Sequence, residues 1–259
     1  MVRPVEALIA TLPAGPGLAW LLAAALAGGL ARGFSGFGAA LIFVPLASVA
    51  LGPQGAAPLM LALEAFAIAA LTPAAWKLAD RAEVGWLALG ALLGTPLGAL
   101  VLVSFDAVTL RWGVALVILA LLGLVMSGWR VRAAPARPLT VGVGVAGGVL
   151  GGVAMVSGPP VIAYLLGREA NDARRVRASF ALYLAAGGLF AGIAYAAAGL
   201  LTAALLGPLA LALPAYFAGI WGGARMFGLA SERAFRLACC AMIALSALLS
   251  LPAWDGVLR

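Results

Sequence analysis

The sequence predicts an all-α integral membrane protein, and three observations carry that reading. Only 10% of its 259 residues are charged and 65% are hydrophobic, giving a mean hydropathy of +1.14. A soluble domain carries about a quarter charged residues. The apolar residues come in long blocks rather than in alternating or narrow amphipathic patterns, so their solvent must itself be apolar. Charge is also missing from whole stretches: Glu83 to Asp106, Arg111 to Arg130, Arg137 to Arg168, and Arg177 to Arg225. Each holds roughly 18 or more residues, enough to cross a hydrocarbon core about 30 Å thick.

Residues 1–16, with Arg3, Glu6, Pro13 and Pro16, read as an interfacial lead-in and not as a cleavable signal. Eight apolar blocks follow, at roughly 17–51, 55–76, 84–104, 109–129, 139–167, 178–201, 203–224 and 234–252, parted by short polar or Pro/Gly breaks. Residues 1–259 therefore form one membrane transport domain. Within it the blocks repeat as two four-element units, about 1–130 and 138–259. Each unit opens with a long Gly-rich block, marked by Gly28-Gly29 in the first and Gly147-Gly148 in the second. Near the end of each, Gly98-Ala99 followed by Arg111 has the spacing of Gly223-Ala224 followed by Arg236. Internal duplication of this kind is common in transporters.

The opening blocks are too long for simple spans. Block 17–51 is broken in its middle by Arg32-Gly33-Phe34-Ser35-Gly36-Phe37-Gly38, which suggests a re-entrant hairpin with its tip near the midplane. The positive-inside rule favours that reading over eight plain spans. With eight spans the loop basic residues divide seven to eight between the faces. With the first and fifth blocks re-entrant they divide three (Arg3, Arg111, Arg259) to twelve, which is the bias that membrane insertion leaves. The expected architecture is two re-entrant Gly-rich hairpins plus six full spans, with inverted symmetry and eight plain spans as the alternative.

The net charge of +7 is then a topology signal, and no basic helix or aromatic-basic patch stands clear of the bilayer for nucleic acid. Cys239 and Cys240 are adjacent within an apolar run and read as packing residues. An intramembrane hydrolase is disfavoured. Gly33-Phe34-Ser35-Gly36 has the G-x-S-G form of an intramembrane serine protease, but the chain contains no histidine to activate the serine. There is no carboxylate or His cluster at metal-ligand spacing, and no cofactor is implied.

The same residues suit an anion carrier. Helix ends at a hairpin tip present unpaired N–H groups, and Gly33, Gly36, Gly38 and Gly158 would let that backbone approach an oxyanion closely. Ser35 and Ser157 add hydroxyl donors. Pro159 and Pro160 suit the first turn of a half-helix starting after Gly158. Arg32 is a charge inside an apolar block, either a charge complement for the anion or a snorkelling side chain. Glu64, in mid-span, is a candidate proton carrier or a structural acid. Tyr164 and Tyr183 are candidates to line the path or to pack. Arg168, Arg174, Arg175 and Arg177 form a basic loop. A passive anion channel and a structural membrane partner are the other function classes.

At these residues the chain resembles the sulfite exporter TauE/SafE family. The resemblance rests on Gly33-Phe34-Ser35-Gly36-Phe37-Gly38 with Phe43-Val44-Pro45-Leu46, on Ser157-Gly158-Pro159-Pro160 with Tyr164, and on Arg177-Ala178-Ser179 with Tyr183. Two departures stand out: Gly38-Ala39-Ala40 replaces a run of glycines, and the second half has no counterpart of Pro45. The resemblance implies secondary transport of a small sulfur-containing anion, such as sulfite, an organosulfonate or thiosulfate, through a bacterial plasma membrane. The substrate site would comprise Arg32, Gly33, Ser35, Gly36, Gly38, Ser157, Gly158, Pro159 and Tyr164, with Glu64 as the acid for a coupling proton.

Overall fold

A computed structural model describes residues 11–13, 15–36, 38–127, 136–167, 172–226 and 232–255. Ten α-helices lie among them: α1 (Pro16–Ser35), α2 (Ala39–Leu51), α3 (Pro53–Leu78), α4 (Arg81–Ser104), α5 (Ala107–Met126), α6 (Arg137–Ala154), α7 (Gly158–Leu166), α8 (Ala173–Ala197), α9 (Leu206–Met226) and α10 (Glu232–Leu249). The first and fifth apolar blocks each divide into two helices, and each of the other six forms one. Among the described residues, seven segments are long and apolar enough to cross a membrane, and the chain is a multi-pass membrane protein. The last block is not one of the seven, because Glu232, Arg233 and Arg236 occupy the first turns of α10 and leave only Leu237–Leu249 apolar.

The chain divides into two compact units that do not follow the sequence repeats. One comprises Met1–Leu63, Phe105–Leu122 and Gly199–Arg259, the other Glu64–Ser104 and Gly123–Ala198.

In the first unit, α1 and α2 form an antiparallel hairpin. A Cβ on Gly17 would meet the Ala50 side chain at 3.5 Å, and one on Gly28 would meet the Ala39 carbonyl and Phe43 Cβ at 3.2 Å. The neighbouring face of α1 lies along α9, running in the same direction. A Cβ on Gly29 would stand 2.2 Å from the Tyr216 carbonyl oxygen, and one on Gly33 2.0 Å from that of Ile220. From the other side, Gly219 and Gly223 face the carbonyls of Leu26 and Leu30 at 2.4 and 2.3 Å. These backbones touch directly. Lipid gives apolar side chains no hydrophobic reason to associate, so such close packing is what holds membrane helices together.

The second unit repeats the arrangement with exchanged partners. α6 and α7 fold back on each other, with Gly147 against Val161 and the Ser157 carbonyl, and Gly151 against the Ser157 side chain. The other face of α6 runs along α4: Gly90, Gly94 and Gly98 face the carbonyls of Val141, Val145 and Val149 at 2.2 to 2.3 Å. In return, Gly144 and Gly152 face those of Leu87 and Thr95 at 2.2 Å. The two Gly-Gly marks divide their work alike. Gly28 and Gly147 touch the returning arm of their own hairpin, while Gly29 and Gly148 touch the middle of α9 and of α4.

Both Gly-rich blocks fold back as hairpins with unequal arms, and each long arm is itself long and apolar enough to cross a membrane. The first arms have 20 and 18 residues and the returning arms 13 and nine. The long arms continue because their glycines sit at helix contacts, where helical backbone is held in place. The chain turns only where a left-handed residue follows. The consequence for depth is simple. Each long arm runs past the middle of its partner helix, and each returning arm begins close to that middle.

Three helices start on aspartate caps. Asp80 Oδ1 accepts the Glu83 N–H at 3.1 Å, Asp106 Oδ1 accepts those of Val108 and Thr109 at 3.0 Å, and Asp172 accepts that of Arg174. With the Thr109 hydroxyl also donating to it, the Asp106 carboxyl is held below its ordinary pKa. At one end of the second unit the Asp80 N–H donates to Ser179 Oγ at 3.0 Å, Arg137 stacks 5.4 Å over Trp86, and Arg81 lies 5.8 Å over Trp76. Lys77, Arg81, Arg137, Arg174, Arg175 and Arg177 thus share one end with exposed tryptophans, the pattern of a membrane–water interface.

Arg111, counted in sequence as a loop charge, is instead a buried tie in the first unit. Its Nε donates to the Ser250 carbonyl at 2.9 Å and its Nη1 pairs with Asp255 at 2.7 Å, fastening α5 to the end of α10. Its sequence counterpart Arg236 has a side chain outside the described residues.

Gly29→Ala is expected to lower the thermal unfolding midpoint of the purified protein, by about 1–3 kcal/mol of overpacking strain. Gly187→Ala, where a Cβ meets nothing within 4 Å, is expected to raise it by about 0.5–1 kcal/mol of helix propensity. Equal midpoints would refute the glycine seam as a close contact.

Candidate functional site

Each hairpin turns in three residues, 36–38 in the first and 155–157 in the second. Both long arms end the same way. Gly36 is left-handed (φ 76°) and returns its N–H to the Arg32 carbonyl at 2.9 Å; Met155 is left-handed (φ 58°) and returns its N–H to the Gly151 carbonyl at 2.9 Å. Met155 is the one non-glycine among the described residues with a positive φ. An L-residue pays about 1–2 kcal/mol for that conformation, so the second tip stores strain that the first avoids with glycine.

In the first tip, Arg32 lies buried in the last turn of α1, where the helix dipole favours a cation, and its guanidinium donates to the Gly36 carbonyl. Gly33 is occupied with packing on α9. Gly36 and Gly38 both have positive φ and open space where a Cβ would stand. The Ser35 side chain lies outside the described residues. Gly38 then starts α2 with no side-chain cap.

In the second tip, Ser157 is buried and occupies the N-cap of α7, but its hydroxyl does not cap the helix. Of the N–H groups that the first turn leaves unpaired, Pro159 and Pro160 supply none. The donors that remain are the N–H groups of Ser157 and Gly158. Gly158 faces the Phe180 ring, 3.3 Å from where a Cβ would stand, and Pro159 is buried. Other helix starts differ in their caps, and α1 and α6 also lack a side-chain cap. α4, α5 and α8 start on aspartate caps, whereas α2 and α7 start near the middle of neighbouring helices with none.

Tyr164 is not at this tip. It lies near the far end of α7, roughly 9 Å along the axis from Gly158, and its hydroxyl is engaged with Thr140 Oγ1 at 2.7 Å. Two tyrosines of α8 stand closer. Tyr195 donates to the carbonyls of Gly152 (2.9 Å) and Gly151 (3.3 Å), covering the last turn of α6. Tyr183 is fully buried, and its hydroxyl lies 2.5 Å from where a Gly147 Cβ would stand. Sequence reasoning missed Tyr195 and Met155. Tyrosine within an otherwise apolar span was the available signal for the first, and nothing in the residue type marks the second.

Glu64 is buried at the middle of α3. Among the described residues no group of three or more His, Cys, Asp or Glu is placed to hold a metal ion. Cys239 and Cys240 are both free thiols. Arg32 and the first tip belong to one compact unit, Glu64 and the second tip to the other.

A family model described as sulfite exporter TauE/SafE matches residues 21–250, nearly the whole chain. The chain belongs to the sulfite exporter TauE/SafE family. This is a family of membrane transporters, and the match covers both hairpins and all ten helices in whole or in part. No curated protein and no solved structure matched. In this TauE/SafE member, Ser179 of the Arg177-Ala178-Ser179 motif ties the start of α8 to the α3–α4 corner.

Met155→Gly is expected to raise the thermal midpoint by the equivalent of about 1 kcal/mol, and Met155→Val to lower it, because a β-branched residue fits a positive φ worst. A drop in both variants would show that the Met155 side chain, not its backbone, matters at the tip.

Proposed function

We propose that this protein is a secondary transporter that carries a small sulfur-containing oxyanion, such as sulfite, an organosulfonate or thiosulfate, across the bacterial plasma membrane by alternating access. Membership of a family named for sulfite export supports the substrate class. The observation that carries the site is the uncapped start of α7, set near the middle of α4 and buried beside Ser157. A helix start among apolar residues has N–H groups that no water can satisfy, and an oxyanion satisfies them without a formal cation. Ser157 Oγ adds a donor that the helix itself does not use.

The first tip offers the related arrangement at Gly36, Gly38 and the start of α2, with Arg32 supplying positive charge beside it. Ser35 is the further donor we assign there. Glu64, buried in mid-helix, is the coupling acid in this reading.

Two experiments test the proposal. The thermal midpoint of purified protein is measured with sulfite, sulfoacetate, isethionate, thiosulfate, sulfate, phosphate, acetate and the zwitterion taurine. A sulfur oxyanion at about 100 times its Kd stabilises the fold by about 2.7 kcal/mol, and Ser157→Ala reduces that shift. Stabilisation by acetate or phosphate alone, or by no anion, defeats the substrate reading. In proteoliposomes, Glu64→Gln is expected to remove the dependence of uptake on a pH gradient while anion counterflow persists. Uptake indifferent to the gradient in the unmodified protein removes Glu64 from the mechanism, and flux without counterflow or saturation would mark a channel.

A further inference from the structure

The Tyr183 hydroxyl is the one buried tyrosine hydroxyl left without a hydrogen-bond partner among the described residues. Its neighbours on the same unit are engaged: Tyr164 with Thr140, and Tyr195 with the α6 carbonyls. Tyr183 itself is 0% exposed, so water does not reach it from the surface. A phenol buried in this way is normally paired.

Its position gives the orphan a meaning. The point where a Gly147 Cβ would stand is 2.5 Å from the Tyr183 hydroxyl and 3.2 Å from the Ser157 carbonyl. The hydroxyl and the start of α7 therefore belong to one neighbourhood. Gly147 has no side chain there, and any Cβ would displace the phenol. One residue on, Gly148 packs on Ala91 and Thr95, in the middle of α4. The unpaired hydroxyl thus sits at mid-height of the helices, at the level of the returning arm's N-terminus.

We propose that Tyr183 is a ligand-binding residue of the second tip, donating its phenolic O–H to an oxygen of a bound oxyanion that also takes the N–H groups of Ser157 and Gly158 and the Ser157 hydroxyl. This rests on the transport reading above and sharpens it. All these groups are donors, the phenol completing a set that an acceptor-rich anion satisfies and an ammonium ligand does not. With no ligand bound, the phenol is a buried donor without an acceptor. An oxyanion bound there would supply the acceptor.

The test is Tyr183→Phe, which deletes one oxygen and keeps the ring. Sulfite and isethionate affinity is read from thermal shifts in unmodified protein, Tyr183→Phe and Tyr195→Phe. Expected are a ligand-free Tyr183→Phe midpoint equal to or above the unmodified one, and anion affinity weaker by about 10-fold, the loss of a hydrogen bond to a charged acceptor. Tyr195→Phe breaks a bond already made and lowers the ligand-free midpoint. Gly147→Ala, which pushes the phenol aside, is expected to weaken binding as Tyr183→Phe does. If the unmodified protein binds a sulfur oxyanion and Tyr183→Phe binds it equally well, the assignment of Tyr183 fails while the transport reading stands. If the unmodified protein binds none of these anions, both fall together.

Discussion

The glycine seam between each long hairpin arm and its partner helix is the contact on which the rest of the structure depends. Where backbones meet at the distances of Gly29 and Tyr216, or Gly148 and Ala91, no side chain intervenes to let the helices roll or slide. Close approach lets many weak attractions act together, and Cα–H groups come within reach of facing carbonyls. The seam fixes the height of each arm, and through the antiparallel return it also fixes where α2 and α7 begin. A hairpin with a larger residue at Gly29 or Gly148 would still be apolar enough for lipid, but its returning arm would start somewhere else.

That placement creates the chemistry. Three helices, α4, α5 and α8, are closed by aspartates at their starts, and the two that begin beside the seams have no side-chain cap. A helix start without a side-chain cap presents unpaired N–H groups, which suit an anion. In the proposed site, Arg32 would offer charge at one tip, and the second tip would rely on neutral donors. The strained Met155 belongs to the same picture, since backbone held in a costly conformation collects where a site needs a particular shape.

Much of this architecture was legible in the sequence, for reasons that particular residues make plain. The uncharged stretches announced the spans. The length of the Gly-rich blocks announced a fold-back, and Gly28-Gly29 and Gly147-Gly148 marked equivalent positions. What could not be read was the division of labour among glycines. Gly33 and Gly36 look alike in a string of letters, yet Gly33 packs on Ile220 while Gly36 turns the chain. Helix–helix contact depends on partners far along the chain, and no local pattern names them. The tyrosines illustrate the same limit. The sequence placed Tyr164 in the expected substrate site and Tyr183 only among residues that line the path or pack, whereas their partners separate them the other way: Thr140 for one, none among the described residues for the other.

The exchange of seam partners also sets an order of assembly during synthesis. α6 can find α4 soon after leaving the ribosome, because only α5 separates the two along the chain, and the unit they anchor draws on no residue beyond Ala198. The opening hairpin has no such luck. Its seam partner, α9, begins at Leu206, so α1 finds its place only after most of the chain has been made. Until then it must wait in lipid with a row of bare glycines uncovered. Long delays of this sort expose a chain to wrong partners, and a membrane insertion factor that shields the α1 glycines would act at this stage.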